Sequence, residues 1–193
     1  MKIFPLKLSS LLETGIVKIF QLRLKGYNDK LIIEITKYLY QICRHYNVVF
    51  ILNDRPDIAK ITGVDGVHLG DLDCSIKKAR AILGNNKIIG SSCYNNILNS
   101  IKSQSLGADY IAYGAFFKTK TKEKTKTIFI PNLKKHKKNI KCATVGIGGL
   151  NKSNIKKIAF LKFDFLAFCS SIWYGKNIPT IEIRNVKKVL DSF

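Results

Sequence analysis

The chain of 193 residues is short of acidic side chains, with 13 aspartates and glutamates against 33 lysines and arginines and a formal net charge of +20. A basic excess of this size suggests a nucleic-acid partner. The excess is nearly all lysine, however, spread from Lys2 to Lys188, and arginine is scarce. The one dense basic run, 118–141, contains a single aromatic ring, Phe129. The pattern therefore argues against nucleic-acid binding as the main function.

The sequence also lacks a long apolar run and a cysteine motif. No apolar run reaches the roughly 20 residues that a helix needs to span a bilayer. The N-terminal stretch MKIFPLKLSS has no apolar signal core with a cleavage site. The five cysteines form no C-x-x-C pair and no zinc spacing, and we interpret them as small reduced core residues. These absences predict a cytoplasmic protein without a membrane partner.

Five of the thirteen carboxylates nevertheless fall within one stretch, residues 50–73. Two apolar runs of the buried-strand type, 48–52 and 66–70, are each followed by aspartates. Parallel strands of α/β folds carry active sites at these carboxyl ends. We therefore interpret Asp54 and Asp73 as ligands that share one Mg²⁺. The other carboxylates, which fit helix caps and turns equally well, are Asp57, Asp65 and Asp71.

Apolar runs alternate with amphipathic stretches along the chain, which is typical of βαβ units around a parallel sheet. Because functional residue types follow nearly every predicted strand, we expect an α/β fold of the (β/α)8 TIM-barrel type. Only seven strands are predicted, and the chain opens with a helix at Leu8–Glu13. The prediction is one barrel domain, 1–193, whose first strand is absent or reduced to a few residues near Lys2–Phe4. The predicted strands cover residues 17–25, 48–52, 66–70, 87–92, 110–116, 142–147 and 165–169.

Other predicted strand ends carry groups that suit phosphate. Gly148-Gly149 and Ser170-Ser171 follow the last two strands, where such barrels hold a phosphate, although a glycine turn and a serine cap look the same. Arg23 and Lys25 alternate with apolar residues near the end of the first predicted strand. The run 119–122 adds two threonine hydroxyls and two ammonium groups. Together these groups suit two phosphorylated substrates, one of them a diphosphate carried by Mg²⁺.

Seven motifs, taken in order, resemble the thiamine-phosphate synthase family, whose (β/α)8 enzymes join a pyrimidine diphosphate to a thiazole phosphate. They are Q-L-R-L-K (21–25), L-N-D-R-P-D (52–57), D-G-V-H-L-G-D-L-D (65–73), G-S-S (90–92), G-A-F-F-K-T-K-T-K (114–122), G-I-G-G-L (146–150) and F-C-S-S-I (168–172). The resemblance runs from about Leu11 to Ile178 and is nearest to a divergent branch of alphaproteobacterial type. Lys118 and Tyr94 depart from it, since the family usually has proline and histidine there.

The resemblance implies a role for each matching position. The implied Mg²⁺ ligands are Asp54 and Asp73. The residues implied for catalysis on the leaving pyrophosphate are Arg23, Lys25, Ser92 and Lys122. Those implied to face the pyrimidine diphosphate are Gln21, Arg23, Lys25, Asn53, Ser92 and Lys122. Those implied on the side of the thiazole phosphate are Thr119, Thr121, Gly149, Cys169 and Ser170.

The implied reaction is dissociative and gives thiamine phosphate and pyrophosphate. Pyrophosphate departs from a pyrimidine methylene cation, and the thiazole nitrogen attacks that cation without a general base. His68 therefore fits a hydrogen-bonded core histidine at least as well as a base. Two alternatives are a thiazole tautomerase-like enzyme, which needs no metal, and a catalytically inactive barrel that binds a thiamine precursor. The sequence does not decide whether the protein forms a homo-oligomer. It also does not decide whether the thiazole substrate is a carboxylated form.

Overall fold

The structure, a computed structural model, describes residues 3–70, 73–118, 133 and 137–193. Over these residues, seven strands form one sheet whose neighbours follow chain order. The strands are β1 (Ile19–Leu22), β2 (Val49–Asn53), β3 (Gly66–Leu69), β4 (Ile88–Tyr94), β5 (Tyr110–Tyr113), β6 (Ala143–Ile147) and β7 (Phe165–Ala167). The pairs β1–β2, β2–β3, β5–β6 and β6–β7 are parallel. The α/β class and all seven predicted strands are confirmed.

Helices follow most of the strands. They are α1 (Ile3–Glu13), α2 (Asp29–His45), α3 (Pro56–Thr62), α4 (Ile76–Leu83), α5 (Ile97–Ser105), α6 (Lys156–Ala159), α7 (Ser170–Trp173) and α8 (Pro179–Leu190). A 3-10 turn spans Lys137–Asn139. Among the helices of the described ranges, none combines the length and the apolar character needed to cross a bilayer.

Two helix starts are fixed by capping contacts. The Asn28 side chain accepts a hydrogen bond from the N–H of Leu31 at 2.9 Å, and that of Ser75 accepts one from the N–H of Lys78 at 3.3 Å. Caps of this kind satisfy N–H groups that the first turn of a helix leaves unpaired. They set where α2 and α4 begin, directly after the loops that follow β1 and β3.

The N-terminal segment departs from a complete eight-stranded barrel. Helix α1 begins at Ile3, five residues before the predicted start, and it buries Leu8 and Leu11. The ring of Phe4 packs against that of Phe20 on β1, with centroids 6.5 Å apart. The described part of the chain has seven strands and no eighth, so it is not a complete (β/α)8 barrel, and the predicted absence of the first strand is confirmed there. Closure of the seven strands into a barrel stays a prediction.

The contacts divide the chain into two compact units, residues 1–90 and 91–193. In the first unit, the core centres on β2, where Phe50 is fully buried. Asp65 closes this core, because its carboxylate accepts hydrogen bonds from the Tyr40 hydroxyl at 2.9 Å and the Phe50 N–H at 2.8 Å. Burial and the Asp65 contact raise the pKa of Tyr40. Asp65 is thus a structural residue, one of the two roles that the sequence left open for it.

A second carboxylate contact joins β6 to the start of β7 in the second unit. One oxygen of Asp164 accepts hydrogen bonds from both the N–H and the hydroxyl of Thr144, each at 2.7 Å. The Thr144 hydroxyl bond holds the pKa of Asp164 below its usual range. The Lys137 ammonium lies 4.8 Å above the Phe163 ring nearby, and burial lowers its pKa. These contacts lie at the amino ends of the strands, away from the predicted site residues.

Candidate active site

Two carboxylates meet beyond the ends of β2 and β3, as the sequence predicts. The carboxyl groups of Asp54 and Asp73 lie within hydrogen-bonding reach of each other, and burial together with the adjacent Asp54 raises the pKa of Asp73. The N–H of Asp54 donates to the carbonyl of His68 at 2.8 Å, which joins the two strand ends. Paired carboxylates that share one environment are typical of functional sites. We name Asp54 and Asp73 the acid pair.

Asp54 is held in a conformation that few residues adopt. Its φ is +69°, in the left-handed region where aspartate and asparagine are tolerated better than other side chains. The amide of Asn53 donates a hydrogen bond to one carboxylate oxygen of Asp54. The ammonium of Lys25 lies 3.4 Å from the other oxygen, and the Asp54 side chain is only 20% exposed. Both oxygens therefore have a partner that fixes the direction of the carboxylate.

Asp73 is held by two hydrogen bonds to the backbone of Gly70. The N–H of Gly70 donates to Asp73 Oδ2 at 2.8 Å, and the N–H of Asp73 donates back to the Gly70 carbonyl at 3.2 Å. A Cβ atom at residue 70 would lie 2.8 Å from the same carboxylate oxygen. A side chain at residue 70 would therefore require the Asp73 carboxylate to shift. Sequence reasoning missed this role, and the only signal for it is the glycine that directly follows β3.

The second unit carries a tight glycine loop directly after β6. Gly148 and Gly149 have φ values of +100° and +66°, which favour glycine. Cβ atoms at these positions would lie 2.4 Å from the Ala115 backbone and 2.5 Å from the Lys118 carbonyl. The N–H of Phe117 donates to the Gly148 carbonyl at 3.0 Å. The two glycines are therefore required both by conformation and by close approach of the segment after β5.

Comparison with known proteins shows the family of the chain. The sequence profile described as thiamine monophosphate synthase matches residues 3–172. The chain is 41% identical to a thiamine-phosphate synthase of Pelagibacter ubique over 181 residues, which are 93% of this chain and 87% of the relative. The chain belongs to the thiamine monophosphate synthase family. It is also 34% identical to the thiamine-phosphate synthase of Rhodospirillum centenum, with 97% of this chain and 90% of that relative covered.

Solved structures agree with membership of the thiamine monophosphate synthase family. A thiamine phosphate pyrophosphorylase from Pyrococcus furiosus is similar with a TM-score of 0.87 and 30% identity, over 99% of this chain and 91% of that one. A 3-hexulose-6-phosphate synthase at 15% identity, with a TM-score of 0.67, shares the fold alone. The chain is therefore a transferase of thiamine biosynthesis, an enzyme that makes thiamine phosphate. The tautomerase-like and inactive-barrel alternatives are not favoured.

The polar face predicted for the first strand is present, although β1 itself is shorter. Gln21, Arg23 and Lys25 are exposed, whereas the alternate residues Phe20 and Leu22 are buried. The strand ends at Leu22, so that Arg23 and Lys25 lie in the segment that follows it. Lys25 reaches the acid pair, as does Asn53. The substrate-binding roles that the family resemblance assigns to all four polar residues stay predictions.

Asp57 has a partner on the surface instead of at the acid pair. The guanidinium of Arg55 bridges Asp57 at 2.6 Å and Asp29 at 2.6 Å. The hydrogen bonds from Arg55 lower the pKa of both carboxyl groups. Asp57 therefore ties the first turn of α3 to that of α2, and this contact accounts for it without a catalytic role. Asp71 lies outside the described residues, so its role stays open.

The remaining predicted residues belong to the second unit or lie outside the described ranges. Ser170 is the first residue of α7, a short helix that the sequence did not predict, and Cys169 directly precedes it. The neighbouring Ser171 hydroxyl donates to the Leu150 carbonyl at 2.8 Å, which ties this turn to the glycine loop. Ser92 lies within β4, two residues before its end. The predicted residues outside the described ranges are Thr119, Thr121 and Lys122.

Proposed function

We propose that this family member condenses 4-amino-2-methyl-5-hydroxymethylpyrimidine diphosphate with 4-methyl-5-(2-phosphoethyl)thiazole. The products are thiamine phosphate and pyrophosphate. The observation that carries the assignment of the site is the acid pair, in which Asp54 and Asp73 meet with the Lys25 ammonium 3.4 Å from Asp54. Two adjacent carboxylates beside an exposed cation suit a diphosphate that arrives with a metal ion. A carboxylated thiazole phosphate is a second possible acceptor.

The acid pair fits Mg²⁺ by the chemistry of its donors. Carboxylate oxygens are the hard ligands that Mg²⁺ prefers, and Mg²⁺ is usually held by one or two carboxylates, waters and substrate phosphates. Over the described ranges, no group of three or more metal-ligating side chains is present, so a two-carboxylate site that is completed by substrate is the proposal. Asp54 and Asp73 would hold the ion. When bound, it would supply positive charge to the diphosphate oxygens.

The cations near β1 are proposed to stabilise the leaving group. As the carbon–oxygen bond of the pyrimidine substrate breaks, both bonding electrons leave with pyrophosphate, which gains negative charge. Arg23 and Lys25 are exposed, so their charges are available to that group before the reaction begins. Ser92 and Lys122 are proposed to act on the same leaving group. The thiazole nitrogen then forms the new carbon–nitrogen bond with its lone pair, so no proton is removed and no general base is needed.

The glycine loop is proposed to bind the phosphate of the thiazole substrate. Backbone N–H groups are suitable donors for phosphate, and glycine allows the close approach. We propose that Gly149, Cys169 and Ser170 contact this phosphate, and that Thr119 and Thr121 lie on the same side. A barrel formed by the seven strands, a cytoplasmic location and self-association are further proposals. The first is supported by the similarity to the Pyrococcus furiosus structure over 99% of the chain.

The test is a coupled assay of pyrophosphate release with both substrates, with and without Mg²⁺. Asp54→Asn suits it because asparagine also tolerates the left-handed conformation. We expect that variant to lower kcat by roughly 10²–10³, the range seen when one group that stabilises the transition state is removed. Asp57→Asn is the matched control and should keep activity, because Asp57 contacts Arg55 on the surface. Full activity of Asp54→Asn in a chelator would overturn the metal assignment.

A further inference from the structure

Two successive peptide groups of the glycine loop are each held by their carbonyl oxygen. The Gly148 carbonyl accepts from the N–H of Phe117 at 3.0 Å, and the Gly149 carbonyl accepts from Asn154 Nδ2 at 2.8 Å. In a planar trans peptide the N–H points away from the carbonyl. The N–H groups of Gly149 and Leu150 are thus turned away from these contacts, and no acceptor for either is found among the described residues.

The Asn154 side chain is oriented by a second hydrogen bond. Its Oδ1 accepts from the N–H of Asn151 at 2.9 Å, which leaves Nδ2 to face the Gly149 carbonyl. The Asn151 amide is a poorer partner for that carbonyl, since its Nδ2 lies 3.5 Å away and its own oxygen accepts from the N–H of Ser153. Asn154 is therefore the side chain that sets the direction of the Gly149–Leu150 peptide.

We propose that Asn154 is a positioning residue for phosphate binding. It acts by holding the Gly149 carbonyl, so that the N–H of Leu150, together with that of Gly149, stays directed at the phosphate of the thiazole substrate. Successive backbone N–H groups that converge in this way form anion sites. The inference rests on the proposed function of the glycine loop. The Ser171 hydroxyl supports the arrangement from α7, because it holds the next carbonyl, that of Leu150.

The experiment compares Asn154→Ala and Asn154→Asp with the wild-type enzyme. Aspartate keeps the oxygen that accepts from Asn151 but cannot donate to the Gly149 carbonyl. Both variants should raise the KM for thiazole phosphate about tenfold or more, in line with the loss of one hydrogen bond to a charged group. The KM for the pyrimidine diphosphate should not change. The inhibition constant of inorganic phosphate against thiazole phosphate should rise in parallel, because phosphate alone meets the N–H groups.

A purely structural role predicts a different result. Thr144→Val removes a part-buried hydrogen bond to Asp164 at the opposite end of β6, and it should lower the Tm while leaving both KM values unchanged. If the Asn154 variants fold poorly, Ser171→Ala is a second test of phosphate binding by the glycine loop. It should also raise the KM for thiazole phosphate selectively.

The outcomes separate the inference from the proposed function. Wild-type protein that shows no saturable use of thiazole phosphate would overturn the proposed function, and this inference with it. An active wild type whose Asn154→Ala and Ser171→Ala variants keep the KM for thiazole phosphate would overturn the inference alone. Equal increases in both KM values would do the same, because they would indicate a general loss of structure.

Discussion

Replacing Asp73 by asparagine should stabilise the metal-free protein while it impairs catalysis. The carboxyl groups of Asp73 and Asp54 lie within hydrogen-bonding reach, and the raised pKa of Asp73 shows that its charged form is disfavoured there by burial and by Asp54. Asparagine keeps an oxygen that can accept from the Gly70 N–H, which lies 2.8 Å from Asp73 Oδ2 in the wild type. Its amide also brings an N–H that can donate to Asp54. The substitution thus removes one of two like charges and keeps the hydrogen bonds.

The size of the effect follows from the surroundings of the pair. Two unit charges about 4 Å apart repel by about 1 kcal/mol in water and about 4 kcal/mol at the effective dielectric constant near a protein surface. The Asp54 side chain is 20% exposed and Lys25 lies 3.4 Å from it, so solvent and the cation weaken the repulsion. We therefore expect a gain of about 1–2 kcal/mol. For a chain of this length that corresponds to a rise in Tm of roughly 2–8 °C.

Thermal unfolding at pH 7, in EDTA and again in Mg²⁺, measures the effect. Wild-type protein should gain Tm when Mg²⁺ is added, because a ligand that binds only the folded state stabilises it. Asp73→Asn should gain little, and its kcat should fall. Asp57→Asn is the matched control, since it removes a carboxylate that attracts Arg55 at 2.6 Å, and it should not raise the Tm.

Two results would refute this reasoning. One is an Asp73→Asn variant that is no more stable than the wild type in EDTA, which would mean that the paired carboxyl groups do not repel. The other is an equal rise in Tm on adding Mg²⁺ to both proteins, which would place the bound ion elsewhere.

Three further predictions concern other contacts. Gly66→Ala should cost about 1–3 kcal/mol, because its Cβ would lie 2.2 Å from a carbonyl of β4; chemical denaturation measures the cost, and a variant as stable as the wild type would contradict this. Because its pKa is lowered, Asp164 contributes stability that is present above its unfolded pKa and lost as pH falls through the folded value, so an acid titration of Asp164→Asn should lack that slope. Lys25→Ala should lower kcat roughly 10²-fold, while Lys18→Ala, an exposed lysine before β1, should not.

Local patterns in the sequence predict most of the fold and the meeting of the acid pair. Apolar runs mark the strands, and aspartates directly after β2 and β3 must lie at neighbouring strand ends once those strands pair in parallel. The true start of α1 was missed, since Pro5 interrupts the expected pattern. A proline in the first turn is tolerated, because its missing N–H would have no partner there.

Conformations and contacts made by single side chains were not predictable in the same way. The left-handed φ of Asp54 cannot be read from the identity of the residue alone. It depends on the parallel pairing of the strands around it. Helix α6 begins at Lys156, and the Asn154 side chain that precedes it bonds to the Gly149 carbonyl of the glycine loop. The role of Asn154 depends on which carbonyl lies opposite its amide, and only three-dimensional structure supplies that.

The two ways in which this acid-poor chain uses aspartate support the assignment of the acid pair. Asp65 accepts hydrogen bonds from Tyr40 and from the backbone of Phe50. Because these contacts stabilise the fold, they explain why an aspartate is present there. Asp54 and Asp73 instead face each other, and Asp54 holds a left-handed φ that costs on the order of 1–3 kcal/mol. Neither the strain nor the facing charges help the folded state. A group of opposite charge that binds between the two carboxylates would relieve the repulsion, so the unfavourable arrangement is itself the argument for a bound cation.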